Sequence, residues 1–412
     1  MATRREDALR QRADYTHKFN LQSGRHGWLR LTPAYSLKIV EELLGHLDRP
    51  RRILDPFAGT ATTALSAAYH GHDAIAIDIN PFLVWFGQTK TAHFGDDALA
   101  ATLTAAERTI EAVEDHAVAP VPPPPIHNID RWWQPTALLF LRRLRAAIDA
   151  ATAPDSPRRS LLLVAFCQTL IKLSNAAFDH QSMSFNDGVP PASLEDFELV
   201  EAFQHDLRFV LRGAAENPAG DARVVLGDAR NPAVSVRGPF DLVITSPPYA
   251  NRMSYIRELR PYMYWLGYLN QARDAAELDW SAIGGTWGAA TSRLADWRGG
   301  EDGFTDDRLQ SLVERIAEHP NKSGRILANY VARYFDDVWV HLTNLRPVLA
   351  PGAELHYVVG NSTFYGVLLP VEQFYAEMFR RLGFDGVAWT PIRKRNSKKE
   401  LVEFDVTARW PG

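Results

Sequence analysis

The chain has 412 residues, of which 46% are apolar, and its formal net charge is −4. That length is enough for one large domain with insertions, or for two or three domains. The sequence has no run of about 18 apolar residues and begins with a charged stretch, which argues against a membrane span and a secretory signal. The single cysteine, Cys167, argues against a disulfide framework and a cysteine zinc cluster. We therefore expect a cytoplasmic protein.

The first predicted elements belong to a βαβ unit. An amphipathic helix over 36–49 precedes a strand, a glycine loop, a helix and a second strand over 51–81. This order predicts parallel neighbouring strands. From 91 to 214 the pattern changes to Ala- and Leu-rich helices, interrupted by the stiff stretch VAPVPPPP. Cys167 lies in one of these apolar segments, so we expect it to be buried rather than nucleophilic.

Strand patterns return in the second half of the chain. The stretches ARVVLGDAR and DLVITSPPY are short apolar runs, and a helix, a strand, a second helix and a closing strand follow after 325. We predict a doubly wound α/β fold with a mostly parallel sheet and a helical insertion. The predicted divisions are a core of 1–90, 215–260 and 325–412, a helical insertion of 91–214, and an irregular, Trp- and Gly-rich insertion of 261–324.

Three aspartates follow successive predicted strands. Asp55 precedes a turn at Gly59, and Asp78 and Asp228 end the next two strands. The turn lacks the Gly-Lys-Ser/Thr of a phosphate loop and the G-x-G-x-x-G of a dinucleotide site. An acidic residue in such a turn favours a cationic or amino-bearing ligand. Asp78 is placed to accept ribose hydroxyls, and Asp228 is placed to accept an adenine amine.

The fourth strand ends in Ser246-Pro247-Pro248-Tyr249. Each proline lacks an N–H and fixes φ, so the strand must stop there, and the residue before a proline is held extended. The result is a stiff elbow just beyond the carboxyl end of a strand, where open α/β sheets bind ligands. The sequence therefore predicts a functional site at this elbow.

The stretch DPFAGTATT followed by SPPY resembles the amino-methyltransferases of DNA, which use S-adenosylmethionine to methylate exocyclic nitrogens. The resemblance covers about 1–90, 220–260 and 325–412, and residues 30–44 are similar to the family's cofactor-binding segment. Ala61 departs from the family, which usually has a glycine there. The resemblance implies a Rossmann-like methyltransferase sheet, and a cofactor site formed by Thr32, Pro33, Asp55, Pro56, Phe57, Ala58, Gly59, Thr60, Asp78, Ile79, Asp228 and Ala229.

The same resemblance assigns chemistry to the elbow. The Ser246 hydroxyl and the Pro247 carbonyl would accept the two N–H bonds of the target amine, while Pro248 keeps the loop rigid and Tyr249 stacks on a base flipped out of the duplex. No metal is implied. In the family, Ser-Pro-Pro-Tyr usually accompanies cytosine-N4 methylation. The alternatives are adenine-N6 methylation of DNA, an RNA base as substrate, and a non-catalytic nucleic-acid-binding protein with this fold.

DNA is the implied partner, and a restriction endonuclease acting on the same site is a further candidate. Basic and aromatic residues alternate after the elbow, and a basic cluster occupies 391–399. The alternative for the stretch after the elbow is a helix whose aromatic residues are buried in the core. The alternative for 391–399 is a solvated loop. The polar stretch 172–188 is a candidate for reading base edges. The residues assigned to DNA are Arg252, Tyr255, Arg257, His180, Gln181, Arg393, Lys394 and Arg395.

Overall fold

The computed structural model describes residues 9, 11–21, 23–31, 35–177, 184–186, 196–285, 289–300, 303–395 and 401–412. The strands in these ranges are β1 (Arg52–Asp55), β2 (Asp73–Asp78), β3 (Ala176–Ala177), β4 (Ser184–Phe185), β5 (Ala222–Leu226), β6 (Phe240–Thr245), β7 (Leu349–Gly360), β8 (Ser362–Phe364), β9 (Val367–Leu369), β10 (Asp385–Lys394) and β11 (Val402–Arg409).

The α-helices in the same ranges are α1 (His17–Asn20), α2 (Leu37–Leu44), α3 (Thr62–Tyr69), α4 (Pro81–Thr91), α5 (Asp96–Glu114), α6 (Ile129–Trp132), α7 (Pro135–Ala151), α8 (Pro157–Lys172), α9 (Asp196–Ala215), α10 (Pro232–Ser235), α11 (Tyr255–Trp265), α12 (Ala272–Ser281), α13 (Ala289–Asp296), α14 (Asp307–Ala317), α15 (Gly324–Leu345) and α16 (Val371–Arg381).

A seven-stranded sheet forms the centre, in the order β10-β11-β7-β6-β1-β2-β5. The five strands from β5 to β7 pair in parallel, and β11 runs antiparallel to both β7 and β10. The chain runs outward from β1 through β2 to β5, then returns to β6 beside β1 and runs outward in the other direction. The doubly wound, mostly parallel sheet is therefore confirmed, and its switch point lies between β1 and β6.

Apolar layers cover both faces of this sheet. On one face, α2 and the Ala-rich α3 pack on Ile53, Ile244 and Val224, and the small side chains Ala64 and Ala67 let α3 approach closely. On the other face, α15 and α16 pack on strands including β6 and β7. Strands covered on both sides are expected to carry continuous apolar runs, as β6 does at residues 242–244. The two layers fix the strand ends that carry the aspartates and the elbow.

The segment 91–214 is mostly helical where the structure describes it, with β3 and β4 as its short strands. Its helices α5, α7, α8 and α9 share an apolar core that continues into α4 and α11, and the rings of Trp133 and Trp265 meet edge to face at 5.7 Å. Cys167 is fully buried on α8, as predicted, and burial raises the pKa of its thiol. Because this core is shared with α4 and α11, the division of the chain into core and insertion stays a prediction.

The prediction of an irregular segment over 261–324 is wrong for its described part, which contains α12, α13 and α14. Helix starts explain the difference: Gln271 and Asp274 form a capping box, and Asp306 accepts two backbone N–H groups at the start of α14. The helix α11 runs into the start of this segment, and its later aromatic residues are buried in the core. None of the helices in the described ranges has the length and apolar character needed to cross a membrane.

Candidate active site

A cavity of about 700 Å³ opens at the carboxyl ends of the strands beside the switch point. That volume lies within the range of ordinary small-ligand sites. Fifteen of the predicted site residues line it: Pro56, Phe57, Gly59, Thr60, Asp78, Ile79, Asp228, Ala229, Ser246, Pro247, Pro248, Tyr249, Tyr255, Arg393 and Arg395. The structure thus brings the glycine loop, the second and third strand-end aspartates, the elbow and part of the basic cluster to one site.

Asp55 and Ala58 lie behind the cavity wall instead of lining it. Asp55 Oδ1 accepts a bond from the Phe57 N–H at 3.0 Å and another from the Thr245 hydroxyl, on β6, at 2.6 Å. Burial raises the pKa of Asp55 to about 6. Its second oxygen, Oδ2, is buried without a hydrogen-bond partner among the described residues. Asp55 therefore ties the glycine loop to the strand that carries the elbow.

The glycine loop is held from two further sides. Asp78 accepts the Gly59 N–H and the Asn80 N–H, both at 2.8 Å. From α4, the buried Lys90 ammonium donates to the Thr60 carbonyl at 2.5 Å. Burial raises the pKa of Asp78 to about 7 and lowers that of Lys90 to about 7. Lys90 sits in an apolar helix 30 residues after the loop, so no sequence signal pointed to it.

Ala61 occupies the position where the family usually has a glycine. Its φ of 56° is left-handed, a conformation that favours glycine, and its side chain is fully buried. The neighbouring Gly87 on α4 makes room for its methyl group. A Cβ at Gly87 would lie 3.2 Å from the Ala61 Cβ and 2.8 Å from Val224 Cγ2. The loop accommodates the alanine, and α3 still begins at the next residue.

Asp228 is held by an arginine that the sequence reading did not assign. Arg230 Nε lies 3.0 Å from both Asp228 oxygens, and Arg230 Nη1 bonds Asp337 at 3.0 Å. Although burial opposes the shift, these bonds lower the pKa of Asp228. The adjacent Ala229 carbonyl lies 2.6 Å from His341 Nδ1. Both predicted residues therefore line the cavity on a strongly braced loop.

Aromatic hydroxyls fix the backbone of the elbow. The Tyr334 hydroxyl donates to the Pro248 carbonyl at 2.8 Å, and the Tyr255 hydroxyl accepts the Tyr249 N–H at 3.0 Å. The Ser246 hydroxyl donates to the Val358 carbonyl, on β7, at 3.1 Å. Because that bond uses the only proton of the serine hydroxyl, the oxygen is left as an acceptor. Tyr255, assigned to DNA from the sequence, thus also positions the elbow.

The ring of Tyr249 is anchored to the β10–β11 hairpin. Its hydroxyl donates to Glu403 Oε1 at 3.0 Å, and Arg393 forms a two-bond ion pair with Glu403 at 2.7 and 2.9 Å. The Arg395 guanidinium lies 5.0 Å from the centre of the Tyr249 ring. Glu403 is buried, lines the cavity and was not predicted. Arg393, predicted to contact DNA, is committed to this carboxylate.

The other predicted DNA residues lie elsewhere. Arg252 is exposed in the loop before α11, Arg257 is half-buried on α11 and Lys394 is half-buried at the end of β10. The predicted residues Thr32, Pro33, His180 and Gln181 lie outside the described residues. Within the described ranges, no group of three or more His, Cys, Asp and Glu side chains is placed to hold a metal ion.

An N-terminal wall completes the cavity. Tyr15, Leu31, Tyr35 and Ser36 line it, so the described part of the segment likened to a cofactor-binding region does reach the site. The Tyr35 hydroxyl bonds the Thr63 hydroxyl on α3, which fixes this wall to the helix after the glycine loop. Tyr15 precedes the segment 30–44 that resembles the family's cofactor-binding region. It belongs to no motif, so the sequence did not predict its place in the cavity wall.

Comparisons with known proteins agree with the two motifs. No protein-family model matches the chain. It is similar to type II methyltransferase M.MvaI from Kocuria varians, with 20% identity over 89% of this chain and 82% of the relative. Type II methyltransferase M.BsoBI from Geobacillus stearothermophilus is 19% identical over 94% and 84%. Type II methyltransferase M.AvaI from a Nostoc species is 20% identical over 93% and 84%.

Among solved structures, the rRNA methyltransferase aviRa from Streptomyces viridochromogenes overlaps 95% of this chain and 92% of its own, at 11% identity. Its TM-score of 0.30 is too low for the overlap to bear on fold or function. Methyltransferases of the kind found by sequence take their methyl group from S-adenosylmethionine, the cofactor expected from the motifs. The resemblance expected from the motifs is thus confirmed: the chain is similar to S-adenosylmethionine-dependent methyltransferases.

Proposed function

We propose that this methyltransferase acts on DNA and transfers the methyl group to the exocyclic N4 of a cytosine flipped out of the duplex. One observation carries the proposal. The Ser246 hydroxyl, whose proton is donated to the Val358 carbonyl, faces the same cavity as Asp78 and Asp228. A fixed acceptor for an amine and a set of acceptors for a nucleoside cofactor therefore share one space.

The residues present fit S-adenosylmethionine. Apolar side chains such as Phe57 and Ile79 line the cavity and offer surface to the rings, and the lining residues Asp78 and Asp228 are the proposed acceptors for ribose hydroxyls and an adenine amine. Both are carboxylates, which suit a ligand with a cationic sulfonium and an ammonium group. When bound, the cofactor supplies an electrophilic methyl group.

The elbow would orient the nucleophile. The lone pair of an exocyclic amine is delocalised into the base, so the nitrogen gains reactivity when both N–H bonds are held out of the ring plane. The Ser246 oxygen and the Pro247 carbonyl are the proposed acceptors. Bonds from Tyr334 and Tyr255 hold the elbow backbone before substrate arrives, so little reorganisation accompanies the reaction. As the nitrogen gained the methyl group, the carbon–sulfur bond of the sulfonium would break, and the surplus amine proton would pass to water.

Tyr249 is the proposed stacking surface for the flipped base. Base–aromatic stacking is worth roughly 1–3 kcal/mol. The bond to Glu403 fixes the ring orientation in advance, which lowers the entropy lost when a base stacks on it. Cytosine is favoured over adenine because serine, in place of Asp or Asn, begins the elbow. The type II methyltransferase relatives support DNA as the partner, and a cognate restriction endonuclease remains part of the proposal.

The test is direct. The protein is incubated with labelled S-adenosylmethionine and unmethylated bacterial DNA, and the DNA is digested to nucleosides for mass spectrometry. We expect N4-methylcytosine in the parental reaction and its loss with Ser246→Ala. N6-methyladenine as the product would replace the proposed base, and transfer to RNA alone would replace the proposed substrate. No transfer to any nucleic acid would favour the non-catalytic alternative.

A further inference from the structure

The surroundings of Tyr249 contain a cation that the proposed mechanism does not use. Arg395 follows β10, lines the cavity and lies 5.0 Å from the centre of the Tyr249 ring. Its Nη1 donates to the Asn361 carbonyl at 2.8 Å, which holds the guanidinium at this position. A guanidinium has several N–H donors and no acceptor, so one bond leaves further donor capacity.

Gly360 permits this arrangement. A Cβ at Gly360 would lie 2.4 Å from Arg395 Nη1 and 3.0 Å from Tyr249 Cδ2. Any side chain there would push the arginine or the aromatic ring away. The last residue of β7 is therefore bare backbone at the point where the two side chains converge.

The neighbouring Arg393 differs from Arg395 in its ion pairing. Arg393 places two of its nitrogens on the Glu403 carboxylate, so its charge is matched within the protein. Among the described residues, no carboxylate pairs with Arg395. Of the two arginines that line the cavity beside the elbow, Arg395 is thus the one suited to donate to a ligand.

The two target bases differ in what they present beside the amine. A cytosine whose N4 lies between Ser246 and Pro247 presents two acceptors in succession along the same edge, the ring nitrogen N3 and the carbonyl O2. An adenine with N6 in that place presents N1 and then a C–H group. A donor-only side chain that reaches the second position bonds cytosine and finds no acceptor on adenine.

We propose that Arg395 is a specificity-determining residue that donates to O2 of the flipped cytosine. The inference rests on the proposed function, because it takes cytosine as the target base. A cation at O2 draws electron density away from the amine, so its contribution is recognition of the base and not activation of the nucleophile. A site built to bond a group discriminates strongly against a ligand that lacks it.

The experiment compares two bases at one position. Sequencing of modified DNA first gives the recognition site. Duplexes then carry at the target either cytosine or a 2-aminopyridine C-nucleoside, which keeps the amine and the adjacent ring nitrogen but lacks the carbonyl. Single-turnover rates below saturation are measured for the parental protein, Arg395→Met and Gly360→Ala. Arg380→Met is the control, because Arg380 lies 5.8 Å from the Trp389 ring, outside the cavity.

We expect the parental protein and Arg380→Met to lose roughly 10- to 100-fold in rate when the carbonyl is removed. Arg395→Met should methylate both duplexes at similar rates, and Gly360→Ala should show a reduced penalty because it displaces the arginine. If Arg395→Met keeps the full parental penalty, the inference is wrong although cytosine remains the target. If Arg395→Met does not fold, Gly360→Ala and Arg395→Lys decide by the same ratio. Methylation of adenine alone by the parental protein would instead overturn the proposed function.

Discussion

Replacement of Ser246 by alanine tests the proposed chemistry most directly. The change removes one hydroxyl oxygen from the cavity and one hydrogen bond, the 3.1 Å bond to the Val358 carbonyl. The hydroxyl also interacts with the Tyr249 side chain, but the elbow backbone is held by other bonds: Tyr334 and Tyr255 hold the Pro248 carbonyl and the Tyr249 N–H. The backbone geometry of the elbow should therefore survive the substitution.

The expected magnitudes separate stability from chemistry. A single intramolecular hydrogen bond contributes about 0.5–1.5 kcal/mol to stability, so the free energy of unfolding should fall by no more than that. Losing one of two fixed acceptors for the reacting amine should cost about 10²–10³ in rate. A defect confined to folding could not produce that rate loss at an unchanged cofactor affinity.

The assay is the single-turnover methylation rate at saturating DNA and saturating S-adenosylmethionine, with calorimetry for cofactor affinity. Ser235→Ala is the matched control, because its hydroxyl also faces a backbone carbonyl, that of Leu226 at 3.5 Å, but lies outside the cavity. Ser246→Asp restores an acceptor and should recover part of the rate. A parental single-turnover rate in Ser246→Ala would show that the serine is structural and that the proposed acceptor pair is wrong.

Three further outcomes are expected. Because the pKa of Asp78 is raised to about 7 and its charged form accepts hydroxyls better, cofactor affinity should fall by up to about tenfold per unit as pH drops below 7. Calorimetry should show this slope flattened in Asp78→Asn. Tyr249→Ala should weaken capture of the flipped base by roughly 1–3 kcal/mol, whereas Tyr249→Phe keeps the ring and should lose less; equal DNA affinities in both would remove stacking from the mechanism. Ala61→Gly should change the free energy of unfolding by less than about 1 kcal/mol, because relief of the left-handed φ of 56° offsets the lost buried methyl and the added chain entropy. A loss above about 2 kcal/mol on chemical denaturation would contradict that balance.

The elements that could be predicted are those set by local patterns. The β1–α3–β2 unit, the proline elbow and the burial of Cys167 each follow from a short run of residues. The helices of 261–324 were missed even though α14 places Leu309, Leu312, Val313 and Ile316 at helical spacing, because the Trp and Gly residues of the segment favoured an irregular interpretation. Local chemistry therefore located the strand ends and left the intervening helices ambiguous.

The partners of the site residues could not be predicted, because they come from distant parts of the chain. Glu403 accepts a hydrogen bond from the Tyr249 hydroxyl, although the two residues are 154 positions apart in the sequence. No motif around Glu403 indicates this role. In the sequence Arg393 belongs to a basic cluster, but in the structure it forms an ion pair with the Glu403 carboxylate. The presence of an arginine in a sequence does not distinguish a phosphate contact from an internal ion pair, because both roles use the same guanidinium donors.

The strand order has a consequence for when the site can exist during synthesis. Among the described strands β11 is the last to be made, yet it lies between β7 and β10 and carries Glu403. A nascent chain that stops before β11 already contains the glycine loop and the elbow, but it lacks Glu403, the carboxylate that anchors the Tyr249 hydroxyl. The β10–β11 hairpin can form locally and then dock on β7 as a unit. The ribosome must therefore deliver almost the whole chain before the aromatic ring of the elbow is set in place.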